Sequence, residues 1–280
     1  MATCAEDAHP SKRRCLGGIE PLPFSCRAVV APMVGCSDLA WRLLCRRHGA
    51  DLCYTEMLFS DRFVAEPEYR ARKLRTCAED APLVVQFCGN DPATLAAAAR
   101  LAEPHCAAVD LNLGCPLPGA LEGGFGAYML LPERRGLLLS IVAAMSQAVA
   151  IPVCCKIRLL GTVEETVALA EQLEAAGCRM LAVHGRHCPP AHAHRQARLA
   201  RCAADLDAVR AVVAALRIPV VSNGNTACHA DVAANLAATG AAGVMSGEGV
   251  LSNPLLFETT PRGGSEGGCG EGGGGSEGGC

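Results

Sequence analysis

Aromatic residues are scarce: one Trp, three Tyr and six Phe make up 4% of 280 residues. A core must therefore be built from Ala, Val, Leu and Ile, and with half of the chain apolar it can be sizeable. An excess of positive charge is missing too. Lys and Arg number 25 against 28 Asp and Glu, a formal charge of −3. This argues against a strongly basic nucleic-acid module, because phosphate neutralisation needs clustered Lys and Arg. A local basic surface stays open. Met1–Pro21 is rich in charged residues and has no apolar stretch of the secretory kind. The charge-free run Gly136–Cys155 has the length of a membrane span. Ser140, Ser146, Gln147 and Pro152 interrupt it, and the proline divides a helix-like half from a strand-like half. No membrane association is expected.

Cysteine is abundant, with 18 scattered from Cys4 to Cys280. Without a secretory leader they read as reduced, mostly small core residues of an intracellular protein, so the cytoplasm or nucleus is the expected location. His184, His187, Cys188, His192 and His194 form a His/Cys-rich tract. Its spacing matches no familiar zinc finger or ribbon, so a solvated loop is expected and no metal. Lys12–Arg14 reads as a solvated basic run, and Trp41 as core packing on a helix. Three regions are expected: an irregular leader over 1–25, a catalytic domain over 26–258, and a disordered tail over 259–280. Glycine fills 11 of the last 18 positions.

Between leader and tail, short apolar runs alternate with helical patterns. The strands are expected at Ala28–Ala31, Leu52–Tyr54, Leu83–Phe87, Ala108–Leu111, Val153–Ile157, Met180–His184, Val220–Ser222 and Gly243–Ser246. Helices are expected at Leu39–Arg47, Pro92–Ala102, Pro132–Ala148, Val163–Ala176, Ala203–Leu216 and Cys228–Thr239. Continuous apolar strands alternating with helices imply a parallel sheet covered on both faces. Eight such units fit an α/β fold of the (β/α)8 TIM-barrel type. An open doubly wound sheet usually has fewer strands, and no GxGxxG follows the first one.

A barrel of this kind carries its site just beyond the strand C-termini. Polar and special residues stand there: Pro32-Met33, Thr55-Glu56, Gln86, Asn112 and Cys115, Lys156 and Arg158, His184 and Arg186, Asn223-Gly224-Asn225, and Gly247-Glu248. Lys156 and Arg158 lie on one side of their strand, and His184 and Arg186 on one side of the next. These cations suit an anionic, planar, hydrogen-bonding ligand; a Schiff-base lysine is the other reading of Lys156. The glycine-containing last two loops fit phosphate. Cys115 reads as a nucleophile, a proton donor or an inert thiol. Asp110 reads as a structural hydrogen-bonder or a general base.

Taken together, Ala31-Pro32-Met33-Val34, Tyr54-Thr55-Glu56-Met57, Gln86-Phe87-Cys88-Gly89-Asn90, Asp110-Leu111-Asn112-Leu113-Gly114-Cys115-Pro116, Lys156-Ile157-Arg158-Leu159, Val183-His184-Gly185-Arg186, Ser222-Asn223-Gly224-Asn225 and Gly243–Gly249 resemble the tRNA-dihydrouridine synthases. The wording is most similar to the eukaryotic branch acting on uridines 16 and 17 of the D-loop. The resemblance implies an FMN enzyme, reduced by NADPH or NADH, that acts on tRNA. Cys115 matches the cysteine that donates a proton to C5 of the uracil. Pro32, Met33 and Val34 match the loop under the flavin; Gln86, Lys156 and His184 match groups contacting it. Asn223, Gly224, Asn225, Gly247 and Glu248 match the phosphate loops. Asn112 and Arg158 stand where relatives contact the uridine, and Arg186 joins them as a substrate contact. A monomer is expected. Relatives continue into a C-terminal helical domain that grips tRNA. Here glycine-rich sequence follows Phe257 where the eighth helix is expected, so a barrel without that domain is expected, with an apolar face left exposed. Another FMN-dependent pyrimidine oxidoreductase, or an inactive flavin- or RNA-binding remnant, are the alternatives.

Overall fold

The computed structural model describes residues 20–188 and 202–259. Eight parallel strands close into a barrel: β1 (Ala28–Val30), β2 (Leu52–Tyr54), β4 (Leu83–Cys88), β5 (Ala108–Leu113), β6 (Val153–Leu159), β7 (Cys178–His187), β8 (Val220–Asn223) and β9 (Gly243–Ser246). Pairing of β2 with β4 completes the ring. A two-residue strand, β3 (Leu58–Phe59), adds onto the far end of β4. All eight expected strands are present, each within a few residues of its expected bounds.

The side chains explain the closure. Val29, Leu52, Tyr54, Val84, Ala108, Cys154, Met180, Ala182, Val221 and Met245 fill the barrel interior and are fully buried. Alternate residues on the same strands, such as Val85, Val109, Cys155 and Leu181, face the helical ring. Both faces of each strand are covered, hence the unbroken apolar runs. Apart from Tyr54, the strand residues filling the lumen are aliphatic or sulfur-containing. Leu22, Phe24 and Cys26 plug the N-terminal mouth of the barrel, so Leu22 and Phe24, placed in the leader from sequence, are buried.

Helices α1 (Leu39–Arg47), α4 (Pro92–Ala102), α6 (Arg135–Ala148), α7 (Val163–Ala175), α8 (Leu206–Ala215) and α9 (His229–Thr239) form the outer ring. Asp38, Asp91 and Asp205 cap three of them through side-chain oxygens, and Thr162 with Glu165 makes a capping box on α7. The Asp205 cap starts α8 three residues later than periodicity alone suggests. Pro132–Arg134 is a tight 3-10 turn, so α6 also starts late. Four short helices were not expected: α2 (Ser60–Ala65), α3 (Pro67–Lys73), α5 (Pro118–Gly123) and α10 (Glu248–Ser252). They are too short to show a repeating apolar face. Val250, Leu256 and Phe257 cover the outer side of Val30 and Cys53, which corrects the expectation of an exposed apolar face there. No helix among the described residues is long and apolar enough to cross a membrane. His192 and His194 lie outside the described residues.

Candidate functional site

The sheet register brings the strand ends level. Gln86 pairs with Asp110, Asn112 with Lys156, Arg158 with His184, and His184 with Asn223. Above them opens a cleft of about 950 Å³. Pro32, Met33 and Val34 form one wall, Lys156, Arg158, His184 and Arg186 the next, and Asn223, Gly224, Asn225, Gly247 and Glu248 the third. Cys36, Thr226 and Ser246 also line it, and the sequence reading had not marked them. Gln86, Asn112 and Cys115 stand just outside the lining, although Pro116, Leu117 and Pro118 form part of the rim.

Two polar networks hold these groups. In the first, Lys156 Nζ donates to Asn223 Oδ1 (2.9 Å), and Asn223 Nδ2 donates to Met245 O (2.9 Å). Arg186 donates to Cys202 O (2.6 Å) and to Asn225 Oδ1 (3.3 Å), and its Nη1 lies 2.9 Å from His184 Nε2. All three ends of this guanidinium are therefore used within the protein. Asn225, at φ 52°, also pins residue 204 by a reciprocal pair of bonds. Gly224 has φ 120°, and a Cβ there would lie 2.7 Å from Ala204 Cβ. Ala204 packs so closely against this backbone that only glycine fits there.

In the second network, Gln86 Nε2 donates to Asp110 Oδ2 (2.9 Å), and Asn112 Nδ2 donates to Gln86 Oε1 (2.8 Å). Asn112 Oδ1 then accepts the N–H groups of Gly114 (3.2 Å) and Cys115 (3.0 Å). Asp110, fully buried, thus orients the Cys115 loop through two amides. Arg158 Nε donates to Gly114 O (2.9 Å) from the cleft side. Behind the loop, Cys115 O accepts Ala127 N–H (3.0 Å), and Cys115 packs against Cys88, Ala120, Phe125 and Tyr128. Gly126 has φ 65°, and a Cβ there would meet Cys115 O at 2.6 Å. The Gly123–Ala127 segment is therefore a close-fitting buttress for the cysteine.

The cleft is electropositive. Burial, with Arg158 nearby, lowers the Lys156 ammonium to about 8. Burial and the three neighbouring cations Lys156, Arg158 and Arg186 hold His184 neutral, at about 2. A neutral His184 facing a guanidinium must accept through Nε2, which leaves its proton on Nδ1. Burial raises Asp110 to about 7 against the pull of Gln86 and Lys156. Lys156, Arg158 and Arg186 stand against one carboxylate, Glu248, among the lining residues. Such a site favours an anionic ligand with a flat hydrogen-bonding edge.

Residues 29–266 match the protein family described as Dihydrouridine synthase (Dus). The chain is 46% identical over 247 residues to the tRNA-dihydrouridine(16/17) synthase-like protein of Rattus norvegicus, covering 88% of this chain and 53% of that one. It is 39% identical over 235 residues to the tRNA-dihydrouridine(16/17) synthase of Schizosaccharomyces pombe, covering 82% and 57%. A human tRNA-dihydrouridine(20a/20b) synthase-like protein is 34% identical over 239 residues, covering 83% and 72%. The chain thus spans about half the length of the rat and fission-yeast relatives.

Proposed function

Because the chain belongs to the dihydrouridine synthase family, we propose that it reduces uridine to 5,6-dihydrouridine in tRNA, with FMN as cofactor and NADPH or NADH as reductant. The D-loop positions 16 and 17 are the proposed targets, supported by the names and identities of the rat and fission-yeast relatives. The observation that carries the reading is the joining of a cationic cleft to the Asn112–Cys115 loop at one barrel mouth.

The residues present fit FMN. The cleft lining supplies cationic and amide donors, and a phosphate would lie against the Gly224–Asn225 turn and Gly247. Lys156 and His184 offer donors to a flavin edge, and Pro32, Met33 and Val34 offer an apolar wall. When bound and reduced, FMN supplies the hydride for C6 of the uracil.

The remaining work falls to the chain. Lys156, held by Asn223, would place positive charge beside an anionic flavin edge. Arg158, on the cleft wall, positions a uracil carbonyl, while Asn112, bound to Gln86 and to the Cys115 loop, sets that loop against the substrate; the base leaves its stack to reach them. Arg186 acts by holding His184 and Asn225 in place rather than by touching the base. Cys115 delivers a proton to C5, its side chain turning by a rotamer change from the Cys88–Tyr128 cluster toward the cleft. A monomer in the cytoplasm or nucleus completes the proposal.

Nucleoside mass spectrometry of unmodified tRNA incubated with the protein, FMN and NADPH tests this. Dihydrouridine at 16 or 17 is expected, with a loss of at least about 100-fold in Cys115→Ala while flavin stays bound. Unchanged activity in that variant would remove Cys115 as proton donor. Turnover of a free pyrimidine, with none on tRNA, would favour a small-molecule oxidoreductase.

A further inference from the structure

Beside the main cleft lies a second depression of about 330 Å³. The loop from Pro32 to Asp38 separates the two: Cys36 lines the first, Ser37 and Asp38 the second. The opposite wall is the end of α3 and the turn after it, with Arg72, Lys73 and Arg75.

Both walls are fixed from beneath by one side chain. Arg42, almost fully buried, donates through Nη1 to Ser37 O (2.8 Å) and through Nη2 to Arg75 O (2.7 Å). Its guanidinium also engages the buried Asp80 carboxylate, which Arg46 shares. Across the top, Glu56 accepts Lys73 Nζ (2.7 Å) and Gly35 N–H (3.4 Å), linking α3 to the mouth loop. Arg72 and Arg75 are exposed and form no ion pair within 4 Å among the described residues, although Arg72 is near enough to Glu66 to help lower its pKa. A basic last turn suits the carbonyl end of any helix. Arg75, however, lies beyond the helix, on backbone that Arg42 holds in place. The groove and its floor carry five cations (Arg42, Arg46, Arg72, Lys73, Arg75) against three carboxylates (Asp38, Glu56, Asp80), in a chain whose net charge is −3.

We propose that this groove seats the phosphate backbone of the RNA strand flanking the nucleotide whose base enters the cleft. The proposal rests on the tRNA reading above. A base withdrawn from its stack into the mouth leaves its neighbouring phosphates at the rim, and the groove lies directly across the Pro32–Asp38 loop. A chain of negative net charge repels RNA at long range, so binding requires positive charge concentrated beside the site. Arginine forks suit phosphate oxygens. An acidic peptide would meet the same charges, but nothing about it calls for a place beside the base-sized cleft.

The test is binding of unmodified tRNA to the protein and to Arg72→Gln/Arg75→Gln across 50–200 mM salt. In the double variant, low-salt affinity is expected to fall roughly tenfold. The slope of log K on log salt is expected to shrink by about 1 to 2, with each single substitution giving part of the change. Melting temperature and FMN binding stay as in the parent, since both side chains are exposed. Arg210→Gln, which removes an exposed cation paired with Asp207 on α8, is the control and leaves the slope unchanged. Equal affinity and slope in parent and double variant would overturn the groove. So would loss of polyglutamate binding with tRNA binding intact, which would assign the groove to acidic peptides. A parent protein that binds no tRNA would overturn groove and substrate together. Binding through the groove without dihydrouridine formation would uphold the groove and overturn only the activity.

Discussion

The carboxyl group of Asp110 lies fully buried, with one oxygen on Gln86 and the other without a protein partner among the described residues. Burial raises its pKa to about 7, so the folded protein holds this proton to higher pH than the unfolded chain. Such a group favours folding below the unfolded value of about 4, and that contribution is lost as pH rises toward 7. Lys156 shifts the other way, to about 8, and its contribution is lost as pH falls from about 10 to 8. Near neutral pH the parent carries both costs. Asp110→Asn keeps an acceptor for Gln86 and removes the titration. Melting temperature is therefore expected to depend less on pH between 5 and 8 in the variant, which gains on the parent by a few degrees at pH 8. Parallel pH profiles would mean that Asp110 titrates like an ordinary exposed acid. At this scale the sequence was partly legible. Lys156, Arg158 and His184 could be placed at one mouth because side chains repeat every second residue along a strand. The Asp110–Gln86–Asn112 relay could not be read, since it joins neighbouring strands through register. The internal use of Arg186 depends on where residues 202 and 225 fold, far from it along the chain.

The strands and long helices follow from short-range rules, because each is a run of apolar residues bounded by a cap, a glycine or a proline. The connections at the mouth follow from contacts between distant segments. The Gly123–Ala127 segment shows the difference. Its glycines mark it as a turn, but its purpose becomes visible only where Gly126 meets Cys115 across the loop. That contact gives an element-level prediction. Gly126→Ala places a Cβ at φ 65° and 2.6 Å from the Cys115 carbonyl oxygen. The strain, about 1 kcal/mol or more, is expected to be relieved by displacing the Cys115 loop. Dihydrouridine formation should fall at least tenfold while FMN binding changes little, since the phosphate loops lie after β8 and β9. A variant that loses flavin and activity in equal measure would mean that the segment supports the barrel as a whole instead.

For the whole molecule, the barrel concentrates at one end a charge that the chain as a whole lacks. Lys156, Arg158 and Arg186 come from two adjacent strands; burial first, and then charge repulsion from Arg186, lowers Arg158, and burial with all three cations lowers His184. An anion in the cleft relieves that repulsion in the folded state alone, so it stabilises the entire barrel. For protein freed of copurified flavin, FMN at 100 times its Kd contributes about 2.7 kcal/mol. In a domain of this size that is a rise of roughly 5–10 °C in Tm. Riboflavin, which has the ring but no phosphate, should give a smaller rise. Added salt should narrow the difference between the two, because screening weakens the phosphate contact more than the ring contact. Differential scanning fluorimetry at two salt concentrations makes the comparison. Equal shifts from the two flavins would remove the phosphate role of the Gly224 and Gly247 loops. No shift from either would remove the flavin site, and with it the proposed chemistry of Cys115.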